Sequence, residues 1–380
     1  MDMNSEANWQ RPLFDDRLTP YIEIDAQRLE HNLQRMQSKA NEAGVTLRPH
    51  IKTHKSILIA RRQRELGAKG ITVSKPSEGI SFILGGERDL LLAYPIVRAE
   101  TITELLRQAM HHQAKITLIV DALHGVTAIA EAQRQQPDCE LAVAIKVDVG
   151  LHRIGVNPHS DDALTLAQAL KKEGLPFAGL VSHAGHAYGA GNPSAVSAIA
   201  DQEALLMQSL QHKLHKAGFD FCPVSVGSTP TALASKVHSG TDEIRPGNYA
   251  LLDLTACRLG LSKVDDLALS VITRVVAVNE HFAIVDAGSK MLSSDKGPHG
   301  TNASGFGVAV DEQGNTFDVS KLSEEHGFLA YRGNAPRIGS VLRIFPNHSC
   351  AVMAQSDSFV LRHVDGHAET EWVTARGNFI

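Results

Sequence analysis

The feature that most constrains this chain is a long alternation of short apolar runs with helically periodic stretches. The runs fall at Leu47–Ile51, Gly70–Val73, Asp89–Ala93, Ile116–Val120, Leu141–Val147, Phe177–Val181, Val224–Gly227 and Glu243–Arg245, eight in all. Most gaps carry apolar residues at helical spacing, as at Ile102, Leu105 and Leu106 or Leu164, Leu166 and Leu170. Strands alternating with helices read as βα units, which cover both faces of a parallel sheet. Eight such units close into a (β/α)8 barrel with its site at the carboxyl ends of the strands. A doubly wound open sheet shares the pattern and also places its site at strand ends. The expected fold class is α/β, a TIM-type barrel with a second, β-rich domain.

The second domain is read from a change of pattern after about Leu261, where Leu267–Val278, His281–Asp286, Ser340–Phe345 and Val360–Val364 resemble strands joined by turns. The alternating stretch Tyr21–Ile24 can join it, and Asp25 can cap the helix that carries Leu29, Leu33 and Met36. The predicted division is a barrel over 25–261 and a β-rich domain over 1–24 plus 262–380. A chain of 380 residues and 41.0 kDa accommodates both.

Residues with chemistry follow the strand ends: Lys52, Ser74 with Lys75, Tyr94, Asp121, Asp148 with Arg153, Ser182 with His183, Ser228 with Thr229, and Arg245 through Asn248. Arg48, His50, Lys52, His54 and Lys55 crowd one short run. A lysine leaving a buried strand among cationic neighbours is a candidate amine nucleophile, because partial desolvation and like charge lower its pKa. A solvated basic loop is the alternative reading. Ser225-Val-Gly-Ser-Thr-Pro230 and Arg245-Pro-Gly-Asn-Tyr249 suit an anion site, since barrels often hold a phosphate between the loops after their last two strands. Each glycine could instead serve only its own turn. Together with Lys52 they suggest a phosphate-bearing cofactor that bonds to lysine.

Other classes are disfavoured. The formal net charge is −5 with dispersed basic residues, so there is no footprint for nucleic acid. No apolar run reaches the roughly 18 residues of a membrane span, and the start Met1–Glu6 lacks the features of a signal peptide, so no membrane partner and a cytoplasmic location are expected. Cys139, Cys222, Cys257 and Cys350 are scattered and form no CxxC pair, which argues against a disulfide framework.

Six segments carry a family resemblance: residues 48–55 (Arg-Pro-His-Ile-Lys-Thr-His-Lys), 70–75 (Gly-Ile-Thr-Val-Ser-Lys), 91–95 (Leu-Leu-Ala-Tyr-Pro), 225–231 (Ser-Val-Gly-Ser-Thr-Pro-Thr), 245–249 (Arg-Pro-Gly-Asn-Tyr) and 346–350 (Pro-Asn-His-Ser-Cys). In this order they resemble the D-serine dehydratase and D-threonine aldolase family of alanine racemase-like, fold-type III pyridoxal phosphate enzymes. The resemblance implies that Lys52 bonds covalently to pyridoxal 5'-phosphate. It places Arg153 near the phenolic oxygen, His183 against the ring, Tyr188 near the substrate, and Ser228, Thr229, Gly247 and Asn248 in the phosphate cradle. Arg245 would face the pyridine nitrogen, where it disfavours protonation and weakens the ring as an electron sink. A second electrophile, most simply a metal, would then assist at the substrate's hydroxyl.

His348 and Cys350 match the family's metal-binding motif. Imidazole and thiolate suit Zn2+, with Mn2+ as an alternative, and two protein ligands leave room for water and substrate. If the stretch is extended, both side chains point to one face. The spacing alone is weak evidence; the resemblance carries the assignment.

The implied reaction is lysis of a small D-3-hydroxy amino acid by a homodimer. Cysteine rather than aspartate at position 350 favours β-elimination, giving a 2-keto acid and ammonia, over retro-aldol cleavage to glycine and an aldehyde. Racemisation is disfavoured because it calls for an opposing base, usually a tyrosine from the second domain, where Tyr331 is the sole tyrosine after Leu261. A pyridoxal phosphate-binding protein without catalysis is the remaining alternative, and such proteins typically lack a second domain. His50, His54, His186 and His326 are read as structural in the first instance, with His186 a possible influence on substrate choice. Asp286–Lys290 is read as a tight turn before a site-lining loop. The lyase reading requires the amine at position 52 and a cation at 348/350 to act on one bound molecule.

Overall fold

The computed structural model describes residues 17–234, 236, 240–301 and 303–380, so the start Met1–Glu6 lies outside the described residues. The chain divides into two compact units, one of Arg35–Gly247 with Gly377–Ile380, the other of Met1–Gln34 with Asn248–Arg376.

The first unit holds β2 (Thr46–Leu47), β3 (Ile71–Val73), β4 (Asp89–Leu92), β5 (Lys115–Val120), β6 (Leu141–Lys146), β7 (Phe177–Val181), β8 (Val224–Val226) and β9 (Glu243–Ile244). They form an eight-stranded parallel sheet in the order β2-β9-β8-β7-β6-β5-β4-β3. The ends meet at a parallel bridge between His50 and Thr72, with Ile51 N donating to Thr72 O at 2.9 Å and Thr72 N to Pro49 O at 2.7 Å. That bridge closes the barrel. It also explains why β2 is shorter than its apolar run: Pro49 has no N–H to donate, so pairing resumes only beyond it.

The intervening helices are α2 (Ile57–Glu65), α3 (Pro76–Leu84), α4 (Ala99–His111), α5 (Leu123–Gln135), α6 (Asp162–Lys172), α7 (Pro193–Lys216) and α8 (Thr229–Ala234). On α4 the buried Ile102, Leu105, Leu106 and Ala109 form the inward stripe that the spacing predicts. Leu91, Ile119, Ala144 and Val181, from four successive strands, pack into one cluster of buried side chains.

In the other unit β1 (Tyr21–Asp25) leads into α1 (Ala26–Glu42), where Asp25 Oδ1 accepts from the amides of Gln27 and Arg28 at 3.0 Å. The remaining strands are β10 (Leu269–Val278), β11 (Ala283–Val285), β12 (Gly307–Val310), β13 (Thr316–Leu322), β14 (Gly327–Ala330), β15 (Val341–Pro346), β16 (Ser358–Arg362) and β17 (Ala368–Trp372), with the short helices α9 (Leu254–Arg258), α10 (Ser289–Leu292) and α11 (Ser349–Met353). The sheet runs β11-β14-β13-β12-β15-β10-β1-β16-β17, and β11 also pairs with β10. Strands β10 to β15 thus form a closed barrel, which removes exposed edges. β1 lies between β10, antiparallel, and β16, parallel. None of the described helices is long and apolar enough to cross a membrane.

Candidate active site

Lys52 sits half-buried in the turn that follows the barrel-closing bridge, where the amides of His54 and Lys55 donate to Ile51 O at 3.1 and 2.8 Å. His50 and His54, its flanking histidines, are buried. Burial drives the His54 ring down to about 3 despite its bonds to Gln63 and Ser56, which makes it a neutral structural group. Burial, followed by the charges of Lys52 and Arg245, holds His50 far below the usual range. Lys55 is committed elsewhere: its Nζ pairs at 2.6 Å with the fully buried Glu78.

His183, just past β7, bonds through Nδ1 to the carbonyl of Gly227. A carbonyl only accepts, so Nδ1 carries the hydrogen. The ring is kept neutral by burial and then by the basic groups Lys52, Lys146, Arg153 and Arg245. Arg245 is buried at the end of β9, where Nε donates to Ser225 Oγ at 2.7 Å and Nη2 to the Ser182 carbonyl. Burial lowers its pKa to about 10, against the upward pull of Glu243 and Glu203. Ser225 Oγ donates onward to Glu243 at 2.7 Å, Arg48 grips Glu243 at 2.7 Å, and Arg48 also pairs with Asp89 at 2.7 Å. Alternating charges therefore fix Arg245 in place.

The glycine motifs work through close approach. A Cβ at Gly227 would lie 3.0 Å from Arg245 O, and one at Gly247 would lie 2.9 Å from His50 O. Ser228 and Thr229 are buried beside Gly227, and Ser228 Oγ accepts from Thr231 N at 3.3 Å. Arg153 is exposed in a loop organised by Asp148, which accepts from the Gly150 and His152 amides at 3.0 Å, and by Asp121, which accepts from Gly155 N at 3.0 Å. These two strand-end carboxylates are loop braces. Tyr188 and His186 are half-buried in the 3-10 turn Gly185–Gly189, the His186 ring lying 3.2 Å from where a Gly150 Cβ would be.

Two buried charges escaped the sequence reading, Lys146 and Glu203. Lys146 ends β6, and burial lowers its pKa strongly, Arg245 adding to the effect and Glu203 opposing it. Glu203 accepts from Ser182 Oγ at 2.6 Å. The signal was present: Glu203 shares the buried stripe of α7 with Ala200, Ala204 and Met207, where a carboxylate is out of place.

In the β-rich unit His348 ends the segment after β15 and Cys350 lies in α11. The stretch is therefore not extended as the one-face expectation required: His348 has φ −145° and caps the helix that Ser349 and Cys350 begin. The two side chains still interact, since Cys350 is the largest of the influences that raise the His348 pKa. His348 Nδ1 also pairs at 2.6 Å with Asp295 Oδ2, whose other oxygen accepts from Gly297 N at 2.8 Å. Burial opposes a charged imidazole, yet Cys350, Asp295 and Asp253 raise its pKa to about 11. The preceding Asn347 is pinned by Arg258 at 2.5 Å and by the Gly305 carbonyl at 3.0 Å. The Asn248 side chain is engaged with Asp253 at 2.7 Å and Ser349 at 2.6 Å, which leaves its backbone for any cradle. Asp286 braces Thr273 and Arg274 at 2.6 and 2.9 Å, and the Tyr331 hydroxyl bonds Asn279 O at 2.6 Å.

These donor sets suit the groups the sequence suggests. The cationic surround of His183, with glycines at points of close approach, fits an anionic phosphate-bearing ring. A thiol and an imidazole oriented by a carboxylate fit a divalent metal, although the described residues contain no group of three or more His, Cys, Asp or Glu arranged for one.

A closed parallel barrel whose strand ends bring Lys52, Lys146, Arg153 and Arg245 to bear on His183, together with a β-rich unit, is the architecture of the alanine racemase-like class. The family profile "Alanine racemase, N-terminal domain" matches residues 24–254 and "Putative serine dehydratase domain" residues 268–362. The D-threo-3-hydroxyaspartate dehydratase of Delftia sp. (strain HT23) is 35% identical over 94% of this chain and 97% of its own. Its structure superposes with a TM-score of 0.87. The D-threonine aldolase of Arthrobacter sp. is 31% identical over 94% of this chain and 93% of its own. The D-serine dehydratase of Dictyostelium discoideum is 29% identical over 91% and 93%. The chain belongs to this family of D-serine dehydratases and D-threonine aldolases, lyases with the alanine racemase fold.

Proposed function

We propose that this protein is a pyridoxal phosphate- and metal-dependent lyase that dehydrates a D-3-hydroxy amino acid to a 2-keto acid and ammonia. The observation that carries the proposal is the pair of opposite electrostatic settings, basic groups including Lys52 around His183 and acidic groups including Cys350 around His348. When bound, the cofactor supplies an electron sink for the substrate's Cα and the metal supplies Lewis acidity at its β-hydroxyl.

In this reading Lys52 holds the cofactor and its Nζ takes the proton from substrate Cα. Arg153, His183 and Arg245 orient the ring, Tyr188 borders the substrate, and Ser228, Thr229, Gly247 and Asn248 receive the phosphate. His348 and Cys350 hold the metal, Zn2+ or Mn2+, with Asp295 orienting the imidazole. Loss of water leaves an enamine, and its hydrolysis gives the keto acid and ammonia. The barrel of 25–261 would contribute the cofactor residues and the β-rich domain of 1–24 plus 262–380 the metal pair. A cytoplasmic homodimer is the assembly we infer.

Cys350 favours elimination, and a similar structure, a cysteine-to-alanine mutant of a D-threo-3-hydroxyaspartate dehydratase, is in the metal-free form. The aldolase reading has its own support in the 31% identical Arthrobacter relative. Product analysis separates them: D-serine, D-threonine and D-3-hydroxyaspartate are incubated with cofactor-loaded protein, with and without chelator. Keto acid and ammonia, lost on chelation, are expected. Glycine and an aldehyde would replace elimination by retro-aldol cleavage, and cofactor binding without either product set would leave a binding protein.

A further inference from the structure

Residues Gly377–Ile380 group with the barrel unit and lie against the turn that carries Lys52. Gly377, at φ +75°, turns the chain into this segment. Ser77 N donates to Ile380 O at 2.8 Å, Ile380 N donates to Ser77 Oγ at 3.3 Å, and Asn378 Nδ2 donates to Ser81 Oγ at 2.6 Å. Ser77 and Ser81 are one helical turn apart on α3, so the segment binds one face of that helix. α3 has no side-chain N-cap of its own, and the Ile380 carbonyl takes one of its first-turn amides.

The fourth contact reaches the turn itself. The Phe379 ring covers the Lys55 ammonium at 5.3 Å, and that ammonium pairs at 2.6 Å with the buried Glu78 of α3. Glu78 also accepts from Ser74 N at 2.5 Å, at the end of β3. Lys55 has φ +50°, a left-handed conformation that a side chain with a Cβ adopts only when its surroundings impose it. Glu78 and Phe379 are among those surroundings. Lys52 lies three residues earlier in the same turn, and Lys55 N closes that turn onto Ile51 O.

We propose that Gly377–Ile380 is a positioning strap that holds the Lys55–Glu78 pair and thereby fixes the turn bearing Lys52. The strap touches neither cofactor nor substrate; it acts through Lys55. Its effect on the cofactor rests on the role given above to Lys52, whereas its effect on the turn does not.

The test uses the full chain with Asn378→Ala and Phe379→Leu combined, and with Phe379→Tyr alone, which keeps a ring over the ammonium. Hydrogen exchange is measured on the cofactor-free proteins. Amides of residues 50–56 should exchange on the order of tenfold faster in the double variant, while those of β5 and β6 hold their wild-type rates. Phe379→Tyr should exchange like wild type. In the loaded proteins the double variant should release cofactor several-fold faster, about threefold for the ring contact alone, with kcat falling more than KM rises. Unchanged exchange over 50–56, or acceleration spread evenly over the barrel, overturns the strap. If exchange accelerates but cofactor release does not, the link from turn to Lys52 fails. Failure of wild-type protein to bind cofactor through Lys52 counts against the lyase reading and leaves the exchange result to decide the strap.

Discussion

In the barrel the basic groups Lys52, Lys146, Arg153 and Arg245 bear on His183; in the β-rich unit the acidic groups Cys350, Asp295 and Asp253 raise the pKa of His348. The same imidazole is driven to opposite states. Burial penalises charge at both, yet at His183 the neighbours add to that penalty and at His348 they overturn it. Neighbouring charge of one sign disfavours a like charge and favours an opposite one, so the basic groups around His183 favour an anion and the acidic groups around His348 favour a cation. That contrast is the physical support for the proposal of a phosphate-bearing cofactor at the first and a metal at the second.

The severest way to break the contrast is to remove the amine. Lys52→Ala should lower turnover by about 10^3-fold or more, because covalent attachment and proton transfer are lost together. Its near-visible absorbance band should vanish. A variant that keeps the band would place the attachment on another lysine, with Lys146 the obvious candidate.

Removing the thiol attacks the other side. Cys350→Ala should cost on the order of 10^2-fold or more in turnover with D-3-hydroxy substrates, and metal content by elemental analysis should fall in parallel, while the absorbance band stays. Full activity in metal-free Cys350→Ala would show that the anionic setting of His348 serves only the fold. A gentler change, Asp295→Asn, keeps both ligands but loosens the ring. It should weaken metal binding by about 10- to 100-fold, read by competition with a coloured chelator, and excess metal should restore turnover.

Much of this was legible in the sequence, for different reasons in the two regions. Barrel strands are buried on both faces, so they read as uninterrupted apolar runs such as Leu141–Lys146 and their boundaries came within a few residues. In the β-rich unit β12, β13, β14 and β17 do not stand out. Thr316–Leu322, for example, alternates exposed Thr316 and Asp318 with buried Phe317 and Val319, and polar residues dilute the signal. The sequence leaves open whether His348–Cys350 is extended, and the condition fails for a local reason: Ser349 N finds its acceptor in Asp253, distant in sequence, where helix α11 begins. Lys146 and Glu203 went unnoticed because each hides in an otherwise apolar pattern, and what they do depends on partners from other elements.

Glu203 is the exception inside the cationic pocket and gives the finest test of the contrast. Burial raises its pKa, more than Ser182, Lys146 and Arg245 together lower it. A carboxyl whose folded pKa lies above its unfolded value, about 4.3, holds its proton to higher pH in the folded state. Its contribution to stability is therefore present at low pH and is lost as pH climbs from the unfolded range through the folded pKa. Glu203→Gln keeps an oxygen for the Ser182 hydroxyl but cannot ionise. Urea unfolding of the cofactor-free proteins should give curves that agree most closely below pH 4, with the variant gaining on wild type as pH rises. The opposite slope would mean that Lys146 and Arg245 more than offset the burial of this carboxylate. The pocket would then be a balanced salt-bridge network, with no net positive charge awaiting an anion.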